Sequence, residues 1–329
     1  MGVIILSEAD VHQHLRMPEC IDAMGRVLGA LSRGEAQMPL RSVMRGGDST
    51  GMLGLMPAYR GGEQAVYSLK AVCIFPANPT LGLDAHQGTV TLFDGETGRP
   101  TAILNASALT SIRTAAVSAL ATRLLAREDA TRLAVLGSGV QARAHLQALP
   151  LVRDFDSIAV YSPNAEHARA LAQAAAATGG PAVEVAASAA DALEGADVVV
   201  TATNARAPVL DHVTLGAGVH VNAVGASIPS MRELETATVA ACELFADSRE
   251  SIANEAGEFR LAIEQGAIAG IDHVRAELGE LVNGTAPGRS GPQALTVFRS
   301  LGLAVEDLAA AELAVASARA AGAGVEVEL

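Results

Sequence analysis

The chain has 329 residues, half of them apolar, with only 3% aromatic residues and no Trp. That length is comfortable for two domains, and their cores must be built mostly from Ala, Val, Leu and Ile. A net charge of −13 argues against nucleic acid and anionic membranes as partners and reads as solubility.

Ser7-Glu-Ala-Asp10 has the form of a capping box ahead of a short helix. Pro18 suits the first turn of a second helix, on which Ile21, Met24, Leu28 and Leu31 recur at helical spacing until Gly34 ends it. From Met38 the period is that of strands. Residues 41–45, 51–56, 66–75, 88–93 and 101–104 are short runs divided by Gly, Pro, Asn and Asp. Asp94-Gly95 and Gly98 mark a hairpin between the last two. The first ~105 residues therefore read as an α+β unit rich in antiparallel strands.

Residues 106–126 follow as a long predicted helix. From Arg132, predicted strands at 132–136, 157–162, 182–186, 197–201, 219–224 and 243–246 alternate with helices. The clearest of those helices covers 165–177, with Asn164 as its N-cap. Such alternation predicts a mostly parallel, doubly wound sheet. Residues 285–292 read as a loop and 295–320 as an Ala-rich helix, whose packing partner composition does not decide.

The motif at the first of these strands is Leu133-Ala-Val-Leu-Gly-Ser-Gly-Val-Gln-Ala142. It has the strand, glycine turn and helix start of a dinucleotide-binding βαβ unit. Gly137 suits the tight turn, Gly139 lets the backbone approach a pyrophosphate, and Ala142 replaces the third glycine. Free N–H groups at the helix start would face the phosphates. NAD-selective sites usually carry an acid ~20 residues past the glycines, but the second strand ends Val160-Tyr-Ser-Pro-Asn164, without one. No Arg is placed obviously for a 2′-phosphate, Arg169 being a turn further on. NADP(H) is slightly favoured and NAD(H) stays open.

Cys20, Cys73 and Cys242 are isolated and the eight His are scattered, so no metal site or disulfide framework is expected. His12 and His14, two apart, share no helical face and are read as surface residues. With neither a leader-like start nor an apolar run of membrane length, a cytoplasmic protein is expected. One compositional fact is sharper. Among the 23 basic residues, Lys70 is the sole Lys. It lies in Tyr67-Ser-Leu-Lys-Ala-Val-Cys-Ile-Phe75, a half-buried strand by pattern, and Lys exchanges protons near neutral pH once burial lowers its pKa.

Several stretches together resemble the ornithine cyclodeaminase and mu-crystallin family. They are Arg41 with Val43-Met-Arg45, Leu55-Met-Pro57, Lys70, His86-Gln-Gly-Thr-Val90 and Leu109-Thr-Ser-Ile-Arg-Thr-Ala-Ala116. To these add Gly137-Ser-Gly-Val-Gln-Ala142, Asn222-Ala-Val-Gly-Ala-Ser227 and Ser300-Leu-Gly-Leu-Ala-Val-Glu-Asp-Leu-Ala309. The resemblance implies an α/β protein: a Rossmann-type sheet (residues 123–300) inserted in a split α+β substrate-binding and dimerisation domain (1–122 plus 301–329). It also implies that the C-terminal helix returns to that first domain, and that the chain forms a homodimer.

By the same resemblance, Arg41, Lys70 and Arg113 would hold the carboxylate of an α-amino or α-imino acid opposite the nicotinamide. Lys70 would also handle a proton, with Ser227 and His86 close to the same atoms. The cofactor would be held by Thr114, by the turn and helix start Gly137, Ser138, Gly139, Val140 and Gln141, and by Ser162, Asn164, Thr203, Val224 and Ala226. Two positions depart from the cyclodeaminases, which carry a Glu before Leu-Met-Pro and an Asp in the later glycine segment. Here they are Gly54 and Ser227. The resemblance is thus nearer to the ketimine reductases of the mu-crystallin side, which reduce imines such as Δ1-pyrroline-2-carboxylate and Δ1-piperideine-2-carboxylate. The alternatives are an alanine dehydrogenase-like enzyme and, further off, a cyclodeaminase or a non-catalytic nucleotide binder.

Overall fold

The computed structural model describes residues 2–177 and 182–328. The chain divides into two compact units, one formed by Met1–Arg113 with Leu303–Leu329 and the other by Thr114–Gly302.

The first unit begins with β1 (Val3–Leu6), α1 (Glu8–His14) and α2 (Met17–Ser32). Ser7 and Asp10 form the reciprocal capping box expected of them, Pro18 sits in the first turn of α2, and Gly34 follows its end with φ 76°. Next come β2 (Ala36–Gln37), β3 (Ser42–Met44), β4 (Met52–Arg60), β5 (Val66–Ile74), β6 (His86–Asp94) and β7 (Pro100–Asn105). In the β6–β7 turn, Asp94 Oδ1 accepts from the Thr97 N–H at 2.8 Å and Gly98 takes φ 71°. Helix α3 (Ala106–Leu125) then carries the chain across the division between units.

The second unit continues with β8 (Arg132–Leu136), α4 (Val140–Ala148), β9 (Ser157–Tyr161), α5 (Ala165–Ala177) and β10 (Val183–Val185). It goes on through α6 (Ala189–Leu193), β11 (Val198–Thr201), β12 (His220–Ala223), α7 (Thr236–Ala241) and β13 (Glu243–Ala246). Helices α8 (Arg249–Glu255) and α9 (Gly257–Glu264), strand β14 (Val274–Glu277), α10 (Leu278–Val282) and β15 (Thr296–Arg299) complete it. The chain re-enters the first unit as α11 (Ala304–Ala321) and β16 (Val325–Val327).

In the first unit the sheet runs β16-β1-β7-β6-β5-β4-β2, with β3 also on β4. The β4–β7 pairings are antiparallel. Strand β5 alternates, with Val66, Ser68, Lys70 and Val72 buried, so the lysine belongs to the inward face. Helix α11 packs on α1, α2 and strands β4–β6. Its Ala residues allow close approach.

The sheet of the second unit is wholly parallel, in the order β10-β9-β8-β11-β12-β15-β13-β14. Order reverses at β8, which has β9 on one side and β11 on the other. That is the doubly wound arrangement with its switch point at the glycine turn.

Two expectations are corrected. Residues 295–320 are not one helix: Thr296–Arg299 is a fully buried strand lying parallel between β12 and β13, and the helix begins only at Ala304, after Gly302 at φ 77°. Thr, Val and Phe fit a strand covered on both faces. His14 is not a surface residue. Helix α11 covers it, and its Nδ1 lies 3.3 Å from Ser317 Oγ, whereas His12 is exposed.

Arg299 closes β15 almost without exposure. Its Nε lies 2.6 Å from Glu258 Oε1, its Nη1 donates to the carbonyls of Ala223 and Ser300 at 2.8 and 2.9 Å, and its Nη2 donates to the Ala226 carbonyl. Removing one partner strands the other charge in the core. We predict that Glu258→Ala costs about 3–5 kcal/mol in chemical denaturation of the full chain, and that adding Arg299→Met recovers part of it. Wild-type stability of the single variant would refute the pairing.

Candidate active site

Lys70 is 3% exposed, and its Nζ lies 2.7 Å from Asp307 Oδ2 in the first turns of α11. The other carboxylate oxygen of Asp307 accepts from Arg113 Nε at 2.8 Å, and Arg113 Nη1 donates to Glu306 Oε2 at 2.9 Å. Thr110 Oγ1 stands 3.5 Å from Lys70 Nζ. Arg113 reaches this point from α3, whose first turn is capped by Asn105 Oδ1 accepting from the Ala108 N–H at 2.9 Å. Two cations and two carboxylates, none more than 4% exposed, are thus buried together in the first unit. Both acids sit near the start of α11, where the helix dipole also favours negative charge.

Burial is the dominant influence on Lys70 and lowers its pKa to about 8; Asp307 opposes that shift, while Arg113 and Arg41 add to it. Burial alone would raise Asp307, but Arg113 and Lys70 outweigh it and hold the carboxyl below its ordinary value. Arg41, half-buried just before β3, is close enough for its charge to act on Lys70. The structure therefore brings Arg41, Lys70 and Arg113 into one electrostatic neighbourhood, and the charge of Lys70 also acts on His86 at the exposed start of β6.

Glu306 and Asp307 were not read as site residues from the sequence. Their signal was an adjacent pair of acids at the start of an otherwise apolar Ala-rich helix. They also qualify the role implied for Arg113: its Nε and Nη1 are engaged by the protein's own carboxylates. At Gly54, buried in β4 opposite Val72 and Val43, no side chain is present to supply an acid.

In the second unit the turn after β8 fits a dinucleotide phosphate. Gly137 has φ 127°, and a β-carbon there would collide with the carbonyl oxygen of Ala202. A β-carbon on Gly139 would meet nothing within 4 Å, so the backbone is open to a ligand. Gly139 caps α4 without a side-chain hydrogen bond, leaving the N–H groups of the first turn, at Val140 and Gln141, unsatisfied by any cap. Gln141 Oε1 is buried without a hydrogen-bond partner.

Ser138 and Ser162 are joined through their hydroxyls at 2.9 Å, tying the turn to the end of β9. Asn164 Oδ1 caps its own helix, accepting from the Glu166 and His167 N–H groups at 3.0 and 3.3 Å. Thr203 donates its N–H and hydroxyl to Glu233. Val224 and Ala226 are buried, Ser227 is half-buried beside them, and Thr114 is buried on α3.

Among the described residues, no group of three or more His, Cys, Asp or Glu side chains is arranged to hold a metal ion, and no helix is long and apolar enough to cross a membrane. Burial pushes the Cys20 and Cys242 thiols up to about 12, so neither is a nucleophile near neutral pH.

A sequence model of the ornithine cyclodeaminase/mu-crystallin family matches residues 2–322. Among curated proteins, a Delta(1)-pyrroline-2-carboxylate reductase of Bacillus cereus is 34% identical over 327 residues, covering 99% of this chain and 100% of that protein. The ketimine reductase mu-crystallin of Mus musculus is 36% identical over 312 residues, or 94% of this chain and 95% of that protein. Among solved structures, the Thermococcus litoralis Delta(1)-pyrroline-2-carboxylate reductase in complex with NADH and L-proline superposes with a TM-score of 0.94 at 34% identity, covering 99% and 100% of the two chains. A match of this extent, over both units, places the chain in the ornithine cyclodeaminase/mu-crystallin family.

Proposed function

We propose that the chain is an NAD(P)H-dependent reductase that transfers hydride to C2 of a cyclic imino acid such as Δ1-pyrroline-2-carboxylate or Δ1-piperideine-2-carboxylate. The observation that carries this reading is Lys70, the sole lysine, buried against Asp307 with its pKa brought to about 8. The reductases among its relatives support it.

The dinucleotide, when bound, supplies the hydride, and the protein supplies binding, orientation and a proton. The Gly137–Gly139 turn and the start of α4 would hold the pyrophosphate, and Ser162, Thr203, Val224 and Ala226 would flank the rest. No carboxylate stands at the end of β9 to bind a ribose diol, and no Arg stands there for a 2′-phosphate, so NADPH is slightly favoured and NADH stays open; initial rates with the two decide it. Arg41 and Arg113 would bind the substrate carboxylate. Guanidinium suits that task because its planar fork matches a carboxylate.

Reduction adds hydride to C2 and a proton to the ring nitrogen. Gly54 and Ser227 stand at the two positions where cyclodeaminases carry acids; Lys70 would give that proton, and Ser227 and His86 would contribute hydrogen bonds. Exposed Val43, Met44 and Tyr67 on β3 and β5 support the homodimer as part of the same reading.

Arg at position 70 would keep the positive charge but not release a proton. We predict that Lys70→Arg lowers turnover at least ~100-fold while dinucleotide affinity, measured by calorimetry, stays near wild type. Near-normal turnover overturns the role of Lys70. A panel of cyclic imines against pyruvate plus ammonia, with both cofactors, tests the substrate class: faster turnover of pyruvate would replace the reductase by an amino-acid dehydrogenase.

The ammonium form of Lys70 is the proton donor, so imine reduction should fall as pH rises through about 8. Asp307 raises the pKa of Lys70, so Asp307→Asn should move that limb to lower pH. Because the chain has one lysine, 13C-lysine labelling gives a single side-chain signal whose NMR titration reads the same shift without turnover. An unchanged titration would refute the coupling.

A further inference from the structure

Four hydrogen-bond donors converge on one carboxylate at the C-terminal ends of β11 and β12. Glu233 is fully buried. Its Oε1 accepts from the Thr203 N–H and hydroxyl at 2.8 and 2.7 Å, and its Oε2 accepts from the Thr201 hydroxyl and the Gly225 N–H at 2.9 and 2.7 Å. Among the described residues no cation pairs with it. A buried charge without a counter-ion is costly unless hydrogen bonds replace its lost water. Here they do. Only a carboxylate accepts at all four places, since a Gln amide would turn two N–H groups toward a cluster of donors.

The two loops that Glu233 joins touch each other. A β-carbon on Gly225 would collide with backbone atoms of Thr203 and approach Glu233 Oε1 to 2.5 Å. From the other side Arg299 donates to the carbonyls of Ala223 and Ala226. Glu233 is itself anchored, because its carbonyl accepts from the N–H groups of Val209 and Leu210 at 2.8 and 3.1 Å. The end of β12 and the loop after it are therefore gripped through one N–H and two carbonyls.

In a doubly wound sheet the dinucleotide lies across the switch point, with its pyrophosphate at the glycine turn and one mononucleotide over each half. Strands β9 and β10 underlie the adenosine half, so the ends of β11 and β12 underlie the nicotinamide half. We propose that Glu233 is a positioning residue for the nicotinamide half of the cofactor, fixing Thr203 and Gly225–Ala226 as one rigid floor beneath it. This rests on the reading that the second unit binds a dinucleotide.

Two isosteric variants of the full chain test it: Glu233→Gln, and the milder Thr201→Val, which removes one hydrogen bond and leaves the carboxylate. Calorimetry measures the Kd of the reduced dinucleotide that wild type prefers and of ADP-ribose (or its 2′-phosphate), which lacks the nicotinamide. Glu233→Gln should weaken the dinucleotide about tenfold or more, equivalent to ~1.4 kcal/mol, while ADP-ribose binding changes by less than about twofold, the corresponding loss of contacts being absent. Thr201→Val should shift the dinucleotide in the same direction by less. Unchanged dinucleotide affinity in both variants overturns the proposal. So does an equal loss for both ligands, which would make Glu233 a general support of the fold. A wild-type chain that binds neither ligand overturns the dinucleotide reading itself, and the positioning role with it.

Discussion

The constraint on which the first unit depends is the cost of taking charge out of water. Lys70 and Arg113 lose nearly all their solvent, and burial of that kind is tolerable only if opposite charges come with them. Those charges are not nearby in sequence: Asp307 and Glu306 lie 194 and 193 residues beyond Arg113. The chain must therefore leave the first unit, build a second one, and return as α11 to complete the pocket. The β1–β16 pairing marks the same return at the edge of the sheet. A split unit follows from where the neutralising acids are encoded.

The second unit applies the same rule to a different end. Its central strands are apolar through almost their whole length, as Val198–Thr201 illustrates, so dispersion and desolvation hold the sheet without directing the loops beyond it. Direction comes from buried polar groups. Asp247 Oδ2 accepts from the Leu301 and Gly302 N–H groups at 2.6 and 2.7 Å, Arg299 binds carbonyls at the end of β12, and Glu233 joins the loops after β11 and β12. Each group reads a backbone position, where an apolar side chain would read only volume.

What was legible in the sequence follows from these two kinds of force. Alternation along β5 and the glycine turn after β8 are local patterns, and β8 has the bounds its apolar run predicts, Arg132–Leu136. Strand β15 is not legible in the sequence because it is buried on both faces and too short for periodicity to tell it from a helix. The burial of His14 is not legible either, because spacing says nothing about what covers a helix, and its cover is encoded some 300 residues away. The partners of Lys70 were illegible for the same reason: two acids opening a helix look like ordinary complements to its dipole. The lysine itself was the better clue, since a cation in a half-buried strand requires a carboxylate from elsewhere.

That requirement also bears on why the one lysine stands where it does. A guanidinium at position 70 would satisfy Asp307 equally well as a charge, and this chain uses Arg for every other cation. Arg stays protonated throughout the physiological range, whereas an ammonium does not if its surroundings are balanced. Burial, Arg113 and Arg41 push the Lys70 proton off, and Asp307 holds it on. The result lies within reach of neutral pH only because these influences oppose one another. In the proposed reaction, a proton must reach the substrate nitrogen while the substrate carboxylate is held by fixed charge. Two Arg and one Lys would divide those tasks, with the acids of α11 paired to Lys70 and Arg113.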